Sequence, residues 1–184
     1  MTASWTKMKK DLANLEKSQL IGILGELFTK APEARDFLLM RFQDDSRNSV
    51  LKKYKLIIKN EFFPTRGFGK LKIKTVKKAI SDYKKITSDQ QGTLDLMLVF
   101  LENGIAFFAE YGDISESAVD SMFSTMNTFS KELSKLANRE FIYLFKERFL
   151  KLQKECYGVG YGLGDEISCQ IDDLLKLIPK TKKR

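Results

Sequence analysis

Histidine is absent from this 184-residue chain. With it go the usual general base near neutral pH, the Ser-His and Cys-His nucleophile pairs and most zinc sites. Cysteine is scarce: Cys156 and Cys169 stand 13 positions apart, outside any C-x-x-C spacing. That pattern reads as two small core hydrophobes in a reduced compartment, not a disulfide or metal site. Only three prolines occur, at 32, 64 and 179, so little interrupts helices. No β-branched run alternates with polar residues for long, which argues against strands. Long hydrophobic runs are missing too. The most apolar stretch, Leu94 to Ala109, is broken by Glu102, Asn103 and Gly104 and falls short of the roughly 20 residues a membrane helix needs, so it reads as a buried helix. Met1 to Lys10 is polar and lacks a signal-peptide core. With 43% hydrophobic and 30% charged residues, the expectation is a cytoplasmic globular protein with no membrane partner and no cofactor.

One further absence is local. From Ile86 to Ser130 there is no Lys or Arg, while seven acids give −7. Just before it, Arg47 to Lys85 holds 13 Lys/Arg against Glu61 and Asp82, a local +11. The whole-chain +8 therefore reflects one basic stretch followed by one acidic stretch. Such a patch draws polyanions, including nucleic acid, phosphates and acidic protein surfaces.

Apolar residues recur at three and four, which predicts an all-α fold of about eight or nine helices. Helices are expected over Trp5 to Leu15 and over Lys17 to Phe28, the second packing on Leu20, Ile23, Leu24, Leu27 and Phe28. A third starts at Pro32 and packs through Phe37, Leu38, Met40 and Phe42. Asp44, Asp45 and Ser46 cap a fourth, from Ser46 to Phe62, with the core face Val50, Tyr54, Ile57, Ile58 and Glu61/Phe62. A fifth covers Thr75 to Ile86 on Val76, Ala79, Ile80 and Tyr83. A sixth, acidic and apolar-rich, runs from Ser88-Asp89 to the stop at Gly112. Asp113 or Ser115 caps a seventh, reaching towards Leu136. The eighth spans Asn138 to Tyr157, rich in Phe141, Leu144, Phe145, Phe149 and Leu150, and the last runs from Asp165 to Leu177 before Pro179. Short connections point to a compact antiparallel bundle or a HEAT-like stack of helical hairpins. Residues 1–179 are expected as one domain and 180–184 as a disordered basic tail.

Within the basic stretch, Lys52, Lys55 and Lys59 share one face of the fourth helix. Lys74, Lys77, Lys78, Lys84 and Lys85 avoid the apolar side of the fifth. With Arg66, Lys70 and Lys72 from the intervening loop, the two helices could pool their positive faces. Glu61 and Asp82 are placed to pair with Arg66 or with lysines and so fix the hairpin. The loop itself, Phe62 to Lys70, is not a Walker A motif: Leu71 follows Gly69-Lys70, and no glycine lies at the required upstream spacing. Its glycines read as a tight turn with the phenylalanines plugging the core, although Phe68 could stack on a base. Gly158, Gly160 and Gly162 do not make a dinucleotide fingerprint, because a helix and not a strand precedes them. They read as a flexible link that lets the last helix fold back, with Tyr157 and Tyr161 packed over it.

The segments Tyr54-Lys55-Leu56-Ile57-Ile58-Lys59-Asn60-Glu61-Phe62-Phe63-Pro64, Arg66-Gly67-Phe68-Gly69-Lys70-Leu71-Lys72 and Lys77-Lys78-Ala79-Ile80-Ser81-Asp82-Tyr83-Lys84-Lys85 resemble a bacterial family of small helical proteins of unknown function. Lys17 to Ile21, Pro32 to Ala34 and Tyr161 to Ile167 are similar to the same pattern. The resemblance implies an all-helical bacterial cytosolic protein and supplies no activity or catalytic residue.

Two functions are carried forward. The first is a non-catalytic interaction or scaffold protein whose grooves or charged faces bind a protein partner. The alternative is sequence-nonspecific nucleic-acid binding through the basic 47–85 hairpin. There the contacts would be Lys52, Lys55, Lys59, Arg66, Lys70, Lys72, Lys74, Lys77, Lys78 and Lys84, with Phe68 as the stacking ring. Lysine predominates over arginine, so contacts would fall on the phosphate backbone, not on bases. An enzyme is the least favoured class, and a homo-oligomer is left open because the basic and acidic stretches of two copies could face each other.

Overall fold

In the computed structural model, residues 4–43, 46–112, 114–135 and 140–178 are described. The fold is all-α, with nine helices among these residues: α1 (Trp5–Ala13), α2 (Lys17–Lys30), α3 (Pro32–Phe42), α4 (Ser46–Phe62), α5 (Ile73–Thr87), α6 (Gln90–Tyr111), α7 (Glu116–Lys135), α8 (Glu140–Glu155) and α9 (Leu163–Lys176). The expected caps Asp44, Asp45 and Asp113, the helix limits Leu136, Asn138 and Pro179, and the 180–184 tail lie outside the described residues, as does the Phe141 side chain. Contacts gather into two compact units, Met1–Val50 and Leu51–Arg184.

In the first unit α2 packs on α3. Arg35 donates from Nε to the Phe28 carbonyl at 2.9 Å and from Nη2 to that of Thr29 at 3.3 Å. It thereby satisfies carbonyls that the end of α2 leaves unpaired. The apolar stripe expected to be core is not buried: Ile23, Leu24, Leu27, Phe28, Phe37 and Phe42 are all exposed. The periodicity placed the helices but not their burial, because so few residues cannot enclose three helices' apolar faces.

The second unit holds the core. Tyr54, Ile58 and Phe62 of α4 are buried at i, i+4 and i+8, and Val76, Ala79, Ile80 and Tyr83 of α5 at i, i+3, i+4 and i+7, each set on one helix face. Asp89 caps α6 by accepting from Gly92 N at 3.1 Å, and also accepts from the buried Tyr83 hydroxyl at 2.7 Å. Gly112, at φ 77, ends the helix. By length and composition α6 could cross a membrane, yet 72% of its apolar window is buried inside the protein, and it serves as the central core helix.

Around α6 the contacts close a ring: α6 packs on α7 and α8, and α9 packs on the same two helices. A solenoid repeat touches only its sequence neighbours, so this part is a four-helix bundle and not a HEAT-like stack. Gly104 of α6 lies against Met122, while Met97 lines one depression with Thr125 and Thr128, so α6 and α7 are antiparallel. Gln153 reaches Ser168 and Asp172, and Cys156 lies against Gly164, which makes α8 and α9 antiparallel. The α7 to α8 step therefore crosses the bundle diagonal. Phe129 of α7 meets Phe145 and Phe149 of α8 across the centre, each pair at 5.8 Å between ring centroids.

A charge network ties α4, α6 and α8. Arg148 makes a bidentate contact with Glu102 through Nε–Oε1 and Nη2–Oε2, both 2.7 Å, and a short contact with Asp95. Lys55 meets the other Asp95 oxygen at 2.6 Å. Burial pulls the Arg148 pKa down, but the hydrogen bonds and charges of Glu102 and Asp95 outweigh it and hold the guanidinium above its ordinary value.

The two cysteines do not share one environment. Cys156 is buried as expected, whereas Cys169 is exposed on α9. Cys169 occupies the polar side of the helix, between the buried Ile167 and Ile171. Burial, with Glu155 and Asp165 adding, pushes the Cys156 thiol up to about 11 against a weaker opposing Ser168 hydrogen bond. A thiol-disulfide dye at pH 8 is expected to label one equivalent quickly, at Cys169, and Cys156 only as the protein opens, because the thiolate is the nucleophile. Two equal fast phases would contradict this placement.

Candidate functional site

The α4–α5 loop is held in place, not free. Leu71 N donates to the Glu61 carbonyl at 2.8 Å and Lys72 N to Glu61 Oε2 at 3.0 Å, so Glu61 organises the loop backbone. Asp82 pairs with Lys78 one turn away on α5. Gly69 sits so close to the Glu61 and Phe62 backbone that no Cβ would fit. Phe62 is buried, but Phe68 does not plug the core. It is 62% exposed and packs edge-on against Phe107 and Tyr111 at 5.5 and 4.8 Å. The exposed ring is thus mounted on a rigid aromatic base.

The structure sorts the cationic candidates. Lys55 is engaged with Asp95 and Lys78 with Asp82. Lys52, Lys59, Arg66, Lys70, Lys72, Lys74, Lys77 and Lys84 are exposed, and none of the eight has a side-chain ion pair among the described residues. Tyr54 and Tyr83 join α4 to α5 edge-on at 5.4 Å, but Lys55 does not share a face with Lys77 and Lys84. Lys55 turns to Asp95 of α6, whereas Lys77 and Lys84 border a groove reaching Met97 of the same helix. Residues two apart on a helix point to nearly opposite sides.

That groove lies between α5 and α7. Two depressions of about 310 and 270 Å³ adjoin at Lys84 and Met97. Lys77 and Ser81 of α5 share the second with Ser124, Thr125 and Thr128 of α7, and Lys84 shares the first with Glu132. Ile80, Leu94 and Met97 form the floor. Sequence reasoning found Lys77 and Lys84 but missed the hydroxyl wall. Its signal was the three-and-four spacing of Ser121, Ser124, Thr125 and Thr128 along α7. The acids facing the groove are taken. Asp89 serves Tyr83 and Gly92, and Glu132 meets Lys135 at 3.1 Å. The Lys135 hydrogen bond and charge, with smaller help from Lys84 and Lys131, hold Glu132 below the usual carboxylate range.

At the other end, Tyr161 packs edge-on to Phe108 at 6.1 Å and borders an acidic depression with Glu116 and Asp120. Tyr157, expected over the glycine link, is 94% exposed instead, because the turn directs it to solvent. Among the described residues no three Cys, Asp or Glu side chains converge as a metal ion requires.

A family model described as "Family of unknown function (DUF6155)" matches residues 3–167. No curated protein and no solved structure matches the chain.

Proposed function

The chain belongs to that family of unknown function, and we propose that it is a non-catalytic interaction protein that binds an acidic protein partner through its α4–loop–α5 surface. The observation that carries this reading is the set of eight exposed cations without ion pairs on a segment whose loop is pinned at both ends. Unneutralised cations on a preorganised surface steer an oppositely charged partner and cost little ordering on contact. Lysine in place of arginine supports contacts by point charge, suited to scattered carboxylates.

The test is affinity capture from cell extract with the tagged chain and with a Lys52→Glu, Lys59→Glu, Lys77→Glu, Lys84→Glu variant. These positions avoid the buried face, so the variant should fold. The expected result is a stoichiometric acidic protein that elutes as salt rises past roughly 0.15 M, where the Debye length falls below ~8 Å, and that the variant does not retain. Capture of nuclease-sensitive material in its place would favour the nucleic-acid alternative. A small molecule that raises the melting temperature with no protein bound would replace the reading by a ligand-binding one.

A further inference from the structure

We infer that the α5–α7 groove is the seat of an acidic amphipathic helix presented by the partner. The inference rests on the acidic-partner reading and goes beyond it by naming where the partner lies and what its segment must look like.

The groove follows both helices for about two turns, since Lys77 and Ser81 lie opposite Ser124 and Thr128, and Lys84 shares its depression with Glu132. Lys77 and Lys84 are seven residues apart on one rim, a span of ~10.5 Å at 1.5 Å per residue. Carboxylates at i and i+7 of a docked helix recur at the same spacing, so one helix can meet both ammonium groups in register. Between them, apolar residues at i+3 and i+4 would face Ile80, Leu94 and Met97, the groove-in-helix arrangement seen when an amphipathic helix is captured. Met97 sits where both depressions meet, and methionine adapts its shape to an incoming side chain.

Charge selects the sign of the occupant. Neither Lys77 nor Lys84 has an ion pair among the described residues, whereas Asp89 and Glu132 are already committed to Tyr83, Gly92 and Lys135. Thr125 and Thr128 spend their hydroxyl protons on the carbonyls of Ser121 and Ser124, each at 2.8 Å. Hydrogen bonds from neutral groups leave Asp89 charged, so the groove holds Lys77, Lys84 and Lys135 against the two carboxylates Asp89 and Glu132, a net charge of 3 − 2 = +1. A nucleic-acid backbone would satisfy the lysines but gain nothing from the apolar floor, which favours a protein segment.

The experiment uses the full chain and a fluorescein-labelled peptide of about 18 residues, long enough to be helical, with Glu at i and i+7 and Leu at i+3 and i+4. A scrambled peptide of equal composition and a single-stranded oligonucleotide of equal charge serve as comparisons, all read by anisotropy. The amphipathic peptide is expected to bind more than about tenfold tighter than the scrambled one. Lys77→Glu with Lys84→Glu should weaken it by more than about tenfold, and Lys52→Glu with Lys59→Glu by less than about threefold. Amide exchange should slow in α5 and α7 on binding, and far-UV circular dichroism checks that both variants are folded. Equal binding of the scrambled peptide, or equal damage from the α4 pair, overturns the groove while leaving the acidic-partner reading standing. Tighter binding of the oligonucleotide, or no binding of either acidic peptide, overturns both.

Discussion

Replacing Arg148 by Met is expected to cost about 3 kcal/mol of unfolding free energy, which lowers the melting temperature by about 6–12 °C for a chain of this size. The guanidinium is the sole partner of Glu102 among the described residues and one of two for Asp95. Side-chain exposures are 30% for Arg148, 25% for Glu102 and 16% for Asp95, so the stranded carboxylates are largely but not wholly cut off from water. That places the cost at the lower end of the 3–5 kcal/mol typical of a broken buried pair. The Met stem keeps most of the volume, so the loss reports charge and not a cavity. Adding Glu102→Gln should restore stability to within about 1 kcal/mol, because no unpaired charge then remains at that site and Asp95 keeps Lys55. Urea unfolding of the single and double variants measures both steps. A single variant within about 0.5 kcal/mol of the parent would mean the network is no more than a surface ion pair.

Gly164→Ala is expected to cost about 2–3 kcal/mol. Gly164 lies in the first turn of α9, and a Cβ there would overlap the backbone carbonyl of Cys156 and press on Val159 at 3.2 Å. A carbonyl oxygen fixed in the α8 end cannot swing aside as a side chain can, so α8 and α9 must separate where Leu163, Ile167 and Leu152 are buried. Gly160, four residues earlier, is the internal comparison. A Cβ there meets only Phe108 Cζ at 3.5 Å, an ordinary contact. Gly160→Ala should therefore be neutral or stabilise by up to about 1 kcal/mol, through the entropy of the unfolded chain. Chemical denaturation of the two variants side by side distinguishes close helix packing from loop flexibility. Equal small effects would show that this segment is the pliant link its glycine content predicts.

Most of what is local can be read from neighbouring residues. Pro32 starts α3, Asp89 caps α6, Gly112 stops it, and the spacing of Val76, Ala79, Ile80 and Tyr83 names the buried face of α5. These features are legible because a helix is closed by bonds reaching only four residues along the chain, and its apolar stripe repeats at 3.6. The charge asymmetry was legible for the same reason, being a property of consecutive residues.

How those local pieces combine depends on contacts between segments far apart in the chain. Asp95 and Glu102, seven apart in an apolar helix, could have signalled a shared partner, yet nothing nearby in the chain names Arg148, 46 and 53 residues away. The same applies to the two lysine groups. Helical position says that Lys55 and Lys77 avoid their own cores, but α6 between them determines that one is neutralised by Asp95 and the other left at a groove. In α2 and α3 the apolar periodicity was correct while burial was not, because burial depends on how much chain surrounds a face, not on the face itself. The diagonal step from α7 to α8, which brings Phe129 against Phe145 and Phe149, likewise follows from which faces find each other across the bundle. Such long-range matching depends on shape and charge complementarity between distant segments, and no short-range pattern encodes it.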